Sequence, residues 1–371
     1  MNRCLVVTND FPPRQGGIET FVYELTARFP PDRVVVYTST EPGADRFDAA
    51  QRFPVVRDRS RMLLPVPRVT RRAGELARSY GCDRVWFGAA APLGLMADRL
   101  RPAGIVRSVA TTHGHEVWWA GVPGPRQLLR RIADRVDTVT YLGAYTRSRL
   151  SPVVGDAARL ARLTPGVDTS LFQPGGPSMR ERYGLAGRPV ILSVSRLIAR
   201  KGHDTLIRAL PAVRRQLPDA TLLVVGGGPD GRRLRRLAAR IGLAGAVVFA
   251  GGWPHGELPP FYAAADVFAM PCRTRRLGLE PEGLGIVFLE AAACGLAVVA
   301  GDSGGAGDAV RHGETGYLVD GRSVAAVADR LVELLADRDT ARAMGEKGRA
   351  WVAAQWTWDT SYQRLARLLA G

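Results

Sequence analysis

The chain has 371 residues, more than one hydrophobic core usually organises, so two domains are expected. With 46% hydrophobic residues, 42 glycines and a formal net charge of +16, it reads as a turn-rich folded protein and not a disordered one. All but two of its 51 basic residues are arginine, the exceptions being Lys201 and Lys347, and its asparagines are Asn2 and Asn9 alone. The skew runs through the whole chain, so the global charge is discounted, and a Lys or Asn that persists against it gains interest. Nucleic-acid binding is not expected, because the basic residues are spread along the chain and not interleaved with aromatics on one face. Cys4, Cys82, Cys272 and Cys294 form no C-x-x-C pair and have no histidine at ligand spacing, which argues against zinc or a disulfide framework and fits reduced thiols in cytoplasm. The longest apolar run, 284–300, is interrupted by Glu290 and by glycine, so neither a membrane span nor a secretory leader is expected.

Short runs rich in Val, Leu and Ile alternate with helix-period segments, the pattern of buried parallel strands with crossover helices. The first strand is predicted over 3–8. Asn9-Asp10-Phe11-Pro12-Pro13-Arg14-Gln15-Gly16-Gly17 follows, then a helix with Ile18, Phe21, Val22 and Leu25 on one face. Two glycines at a helix N-terminus let a phosphate approach bare N–H groups and the positive dipole end, although an ordinary tight turn uses the same residues. Further strands are predicted over 33–39, 84–90, 106–112 and 138–142. Seven arginines lie between Arg57 and Arg78, among them Arg68, Arg71 and Arg72, against Asp58 and Glu75; they flank Met62-Leu63-Leu64-Pro65-Val66-Pro67. Such a segment suits reversible docking to an anionic membrane, the alternative being apolar residues packed under a helix with the arginines merely solvated. The 106–112 strand ends at Thr111-Thr112-His113-Gly114-His115-Glu116. One histidine there is expected to touch substrate and the other to be structural, since nothing nearby completes a metal shell.

The linker is placed at Pro165-Gly166-Val167-Asp168, which gives domains 1–168 and 169–354. The last segment, 355–371, carries Trp356, Trp358, Leu365, Leu368 and Leu369 and is assigned as a helix returning to the first domain. In the second half, strands are predicted over 190–195, 220–225, 246–250, 267–271, 298–301 and 316–319. The first of these leads into Ser195-Arg196-Leu197-Ile198-Ala199-Arg200-Lys201-Gly202, where Arg196 offers a planar fork and Lys201 a mobile point charge, as a pyrophosphate requires. A solvated basic turn would look the same. Gly226-Gly227-Gly228-Pro229-Asp230-Gly231 matches G-x-G-x-x-G, but the next strand ends Phe249-Ala250-Gly251-Gly252-Trp253 without the acid a dinucleotide site needs. These glycines are therefore assigned to a close backbone approach. The most specific signal is Glu282-Gly283-Leu284-Gly285-Ile286-Val287-Phe288-Leu289-Glu290. Were it helical throughout, its two carboxylates would lie about 12 Å apart on one side. Glu290, in an apolar run, needs a partner, and a pair of ribose hydroxyls would serve. Open α/β sheets bind ligands at the carboxyl ends of their strands, so two sheets with those ends facing would share one cleft.

Together these residues resemble the retaining family 4 glycosyltransferases over nearly the whole chain, through the Gly16-Gly17 loop, the Arg196/Lys201 pair, the Gly-Val-Asp linker at 166–168 and the Glu282/Glu290 pair. Within that family the sequence is most similar to the GDP-mannose-dependent phosphatidylinositol monomannoside mannosyltransferases, on the residues at 8–14, 85–92, 112–116 and 282–287. The resemblance implies an α/β fold of GT-B type, two doubly wound Rossmann-like domains facing across a cleft, the first binding acceptor and the second the nucleotide sugar. It implies that Arg196 and Lys201 hold the donor diphosphate and that Glu290 binds the ribose. Glu282 and the N–H groups of Gly283, Leu284, Gly285, Ile286 and Val287 then hold the hexose. His113 sits over the sugar, Gly16 and Gly17 let the first domain close on the donor, and Asn9 and Asp10 lie on the acceptor side. No metal or other cofactor is implied, since the cationic pair does what a divalent ion does elsewhere. The implied partners are GDP-mannose, a phosphoinositide-mannoside lipid and the anionic inner face of the cell membrane, with an α-(1→6) linkage as product. Arg275-Arg276-Leu277-Gly278-Leu279-Glu280-Pro281 departs from the pattern, being bulkier than the glycine-rich stretch usual before the first Glu. Rival readings are a family 4 transferase with another donor or a soluble or polysaccharide acceptor, and, outside the class, an NAD-dependent oxidoreductase that would need the missing acid.

Overall fold

The computed structural model describes residues 3–14, 16–114, 116–156 and 158–371, with the side chain of residue 277 left aside. The chain divides into two compact units, residues 1–166 with 358–371, and residues 167–357. Each is built on one wholly parallel sheet.

The first unit holds β1 (Arg3–Thr8), β2 (Val34–Thr38), β3 (Val55–Arg57), β4 (Cys82–Phe87), β5 (Arg107–Thr111), β6 (Thr138–Tyr141) and β7 (Arg159–Arg162), in the order β3-β2-β1-β4-β5-β6-β7. Alternate residues of each strand feed opposite faces. Leu5, Val7, Val35, Val85 and Phe87 bury one face under the helix Pro67–Ser79 through Val69, Ala73 and Leu76. Cys4, Val6, Val34, Val36 and Trp86 bury the other under the helix Gly17–Thr26. The C-terminal helix, Trp358–Ala370, completes that second face with Trp358, Leu365, Leu368 and Leu369. It is tied down by an Arg28–Asp359 ion pair of 2.9 Å and by Arg84 Nε donating to Leu369 O at 2.6 Å. The sequence starts this helix at 355, but Trp356 lies outside it. Its carbonyl accepts from Val167 N at 2.7 Å, so the segment joins the second unit until Thr357 bridges Val167.

The second unit holds β8 (Val190–Val194), β9 (Thr221–Val225), β10 (Val247–Gly251), β11 (Val267–Met270), β12 (Val298–Gly301) and β13 (Gly316–Val319), in the order β10-β9-β8-β11-β12-β13. All six fall where the sequence places strands. One face is covered by the helices His203–Gln216, Gly231–Arg240 and Val324–Ala336, through Leu206, Leu210, Leu234, Leu237, Val327 and Leu331. In the first unit the sequence misses β3 and β7. Both are edge strands that bury little, and Arg159-Leu160-Ala161-Arg162 carries no apolar run. It also sets 84–90 for β4, which runs 82–87: Cys82 and Asp83 belong to the strand, and Gly88-Ala89-Ala90 has left it.

The strand order reverses between β1 and β4 in the first unit and between β8 and β11 in the second. At such a switch point the loops on either side diverge to opposite faces and leave a crevice at the strand ends. The four loops there are 9–16, 88–92, 195–202 and 271–285.

Candidate active-site loops

The loop after β8 is shaped by its neighbours. Leu197 N donates to Gly227 O at 2.8 Å and Asp230 N to Leu197 O at 3.0 Å, so the loops after β8 and β9 touch backbone to backbone. A Cβ on Gly226 would lie 1.9 Å from Ser195 O, and one on Gly228 2.5 Å from Leu197 O. That accounts for the G-x-G-x-x-G match as packing. One 3₁₀ turn, Ala199–Lys201, ends at Gly202 in the left-handed region, where a Cβ would lie 2.0 Å from Pro271 O. The loop after β8 is thus pinned against both neighbours.

From this frame Arg196 and Lys201 take different positions. Arg196 is exposed and its guanidinium makes no hydrogen bond among the described residues. Lys201 is buried, and its Nζ lies 2.7 Å from Glu282 Oε2, an oxygen that Arg200 Nη1 also reaches at 2.9 Å. Burial alone would push the Glu282 carboxyl up; the Lys201 and Arg200 charges outweigh it and hold the group below its ordinary range. Glu282 N donates to Ser303 Oγ at 3.3 Å, Gly305 N to Glu282 O at 2.9 Å, and the Ser303 and Thr274 hydroxyls meet at 2.8 Å. Arg200, Ser303 and Thr274 therefore form one hydrogen-bonded cluster with Glu282. The sequence pattern gives Arg200 no role of its own, and nothing in it marks the other two, because they come from loops far along the chain.

Helix from Glu282 to Glu290 does not form. The helix begins at Ile286, and Gly285 precedes it in the left-handed region, where a Cβ would strike the Phe288 ring. Glu282 lies in the preceding loop, so the spacing expected of a continuous helix does not apply. The turn leaves the N–H groups of Ile286 and Val287, the orphan donors of a helix start, without a hydrogen bond among the described residues. Glu290 sits inside the helix, buried, and its carboxylate already has protein partners. Tyr262 donates its hydroxyl to Oε2 at 2.7 Å, and His255 Nε2 lies 2.8 Å from Oε1. Burial, with Glu290 beside it, raises the Tyr262 hydroxyl well above its usual range. The burial of Glu290 therefore requires no ligand, and His255, which the sequence leaves without a role, is with Tyr262 one of its side-chain partners.

In the first unit, His113 stands at the end of β5. Its Nε2 lies 2.6 Å from Gly88 O, a pure acceptor, so that nitrogen carries the proton. Its backbone N donates to Glu116 Oε2 at 2.9 Å, and Phe21 meets the ring edge-on at 5.2 Å. His113 thus joins the loops after β4 and β5. Gln15 and His115 lie outside the described residues. Neither packing nor backbone angle requires glycine at 17, where an added Cβ would meet nothing within 4 Å. Glu19, in the first turn of that helix, is buried beside Arg14 at 2.9 Å, and burial raises its carboxyl. Asn9 clamps another loop: its Nδ2 donates to Leu63 O at 3.0 Å and its Oδ1 accepts from Leu63 N at 2.6 Å. The Asp10 carboxylate makes no hydrogen bond or ion pair among the described residues.

The arginine-rich segment divides. Arg57 is held by Asp48 at 2.8 Å, and Arg68 grips Asp58 with both terminal nitrogens at 2.7 and 2.8 Å. Of the other five, Arg59, Arg71 and Arg72 line a pocket of about 290 Å³, with Glu75 loosely between the last two. Leu63 is buried, whereas Met62, Leu64 and Val66 are 61%, 46% and 41% exposed. The apolar segment is thus anchored by one residue and open at three. Among the described residues no helix is long and apolar enough to cross a membrane.

Residues 15–171 match the family described as Glycosyltransferase Family 4, and residues 177–351 that described as Glycosyl transferases group 1. The chain belongs to glycosyltransferase family 4. The transferase is 52% identical, over 100% of its length and 99% of the relative's, to the GDP-mannose-dependent alpha-(1-6)-phosphatidylinositol monomannoside mannosyltransferase of Mycobacterium tuberculosis H37Rv. It is 43% identical, over 99% of its length and 97% of the relative's, to the GDP-mannose-dependent monoacylated alpha-(1-6)-phosphatidylinositol monomannoside mannosyltransferase of Corynebacterium glutamicum. Its fold matches Anabaena HepE, solved in complex with UDP, with a TM-score of 0.82 over 100% of both chains at 21% identity. The two sheets of the transferase are those of a GT-B enzyme.

Proposed function

We propose that this transferase moves mannose, with retention, from GDP-mannose to the 6-position of a phosphatidylinositol mannoside. The observation that carries the reading is the 52% identity to the M. tuberculosis mannosyltransferase along both entire chains. Exposed Arg196 and the ammonium of Lys201, on its flexible stem, are the groups for the diphosphate, where they offset charge that grows on the leaving nucleotide. That cationic pair makes a divalent metal unnecessary, so chelator should leave the rate unchanged. Glu282 and the N–H groups at the start of the 286–293 helix are the groups for the hexose. Glu290, oriented by Tyr262 and His255, still has lone pairs for a ribose hydroxyl. In the first unit, His113 and Gly17, the latter not required to be glycine by packing, are the candidate groups for substrate.

The lipid acceptor requires the enzyme to work at a surface. We place reversible docking to the anionic inner face of the cell membrane on Met62, Leu64 and Val66 with Arg59, Arg71 and Arg72, each basic residue adding about 1 kcal/mol near such a surface. The test pairs two measurements on purified protein. The first is transfer to phosphatidylinositol monomannoside in vesicles from a panel of sugar nucleotides, with GDP and UDP titrated alongside. UDP binding tenfold tighter than GDP, about 1.4 kcal/mol, would refute the donor. The second is vesicle co-sedimentation at low and high salt. Binding that ignores lipid charge, or that survives joint replacement of Arg59, Arg71 and Arg72, would point to a water-soluble acceptor.

A further inference from the structure

Two cations hold Glu282, and they differ in how freely they can leave it. Both reach the same oxygen, Oε2, Lys201 Nζ at 2.7 Å and Arg200 Nη1 at 2.9 Å. The same Arg200 nitrogen also donates to Pro281 O at 3.1 Å, and Arg200's own carbonyl accepts from Arg273 N at 2.8 Å. Arg200 is therefore fixed at its backbone and at its tip. Lys201 has a single ammonium on a flexible four-carbon stem, the kind of charge that moves from one anion to another, whereas a pinned guanidinium does not. Glu282 is 5% exposed, and its second oxygen, Oε1, makes no hydrogen bond among the described residues.

A diphosphate that reaches exposed Arg196 competes with Glu282 for the Lys201 ammonium. With Lys201 as its one cation, Glu282 would then be left as an unpaired buried carboxylate, an arrangement proteins avoid. We propose that Arg200 is a positioning residue, which keeps Glu282 paired and aimed at the hexose once Lys201 has turned to the donor diphosphate. The inference rests on the reading of Lys201 as the diphosphate contact and Glu282 as the hexose contact. The charged or titratable groups facing Glu282 are Lys201 and Arg200 from the loop after β8 and the buried Cys272 thiol from the loop after β11.

The test uses the full-length enzyme with Arg200→Gln and Arg200→Lys, titrated calorimetrically with GDP and with GDP-mannose without acceptor, and assayed for transfer across pH. Arg200→Gln should keep GDP affinity within threefold and lose about tenfold of the preference for GDP-mannose over GDP. The acid limb of its kcat/KM should move upward in pH, because Glu282 takes up a proton more readily without the second charge. Arg200→Lys restores the charge and should return the acid limb to its wild-type position while kcat stays reduced. It also decides the matter should the Gln variant not fold: an acid limb displaced upward in Arg200→Lys overturns the proposal. So does a loss of GDP affinity beyond tenfold in Arg200→Gln, which would make Arg200 a diphosphate contact, or an unchanged preference and acid limb. Glu282→Gln and Lys201→Ala separate this from the underlying reading. Unaltered GDP-mannose preference in the first, or unaltered GDP affinity in the second, defeats that reading and the proposal with it.

Discussion

Replacing His203 with glutamine should remove about 2 kcal/mol of acid sensitivity from the fold. His203 opens the helix that follows Lys201, and its ring is buried, with Nε2 3.2 Å from Ser195 Oγ and Nδ1 without a hydrogen-bond partner among the described residues. Burial, with the Lys201 charge adding to it, pushes its pKa from the ordinary 6.5 down to about 4. A histidine with a depressed folded pKa stabilises the protein fully above the unfolded value, and that stability is lost as pH falls through the folded one. Between pH 7 and about pH 4.5 the unfolded ring becomes almost wholly protonated while most folded rings do not. Each tenfold difference in proton affinity between the two states is worth about 1.4 kcal/mol, so the wild type loses roughly 2 kcal/mol more than the variant over this window. Denaturant midpoints of both proteins at the two pH values measure the difference, because carboxylates that titrate in the same range contribute equally to each. Parallel losses, within about 0.5 kcal/mol, would refute the argument that His203 is buried and neutral.

Lys201→Ala should lower the transfer rate by roughly 10²–10³, and a rate within threefold of wild type in a steady-state assay would remove Lys201 from the donor site. Its stability loss should fall below the 3–5 kcal/mol typical of a stripped buried pair, about 2 kcal/mol by thermal melting, since Arg200 still reaches Glu282. Leu365→Ala empties a fully buried position between the C-terminal helix and the first sheet and should cost about 2–5 kcal/mol in a denaturant melt. A loss under about 1 kcal/mol would show that helix to be weakly docked. Tyr262→Phe removes the donor to Glu290 Oε2 and should cost about 1–3 kcal/mol, with no loss expected only if Glu290 does not depend on that contact.

The strands of both sheets were legible wherever they lie inside a sheet, because burial on two faces favours short runs rich in Val, Leu and Ile, as in Val190–Val194 and Thr221–Val225. The edge strands β3 and β7 were not, since an edge tolerates Arg159 and Arg162. The loops of the candidate site were legible for a related reason: glycine and charge at a strand end leave a local signature, whether in Ser195–Gly202 or in Glu282–Gly285. What those residues touch was not legible. Arg200, adjacent to Lys201 in sequence, becomes its companion on Glu282 only because the loops after β8 and β11 meet across the switch point. Tyr262 and His255 reach Glu290 across 28 and 35 residues, and Asn9 reaches Leu63 across 54. Local pattern reports the backbone each segment prefers, which depends on near neighbours along the chain. The partner of a buried charge is set by which distant loops the sheet order brings together, and tertiary structure alone decides that.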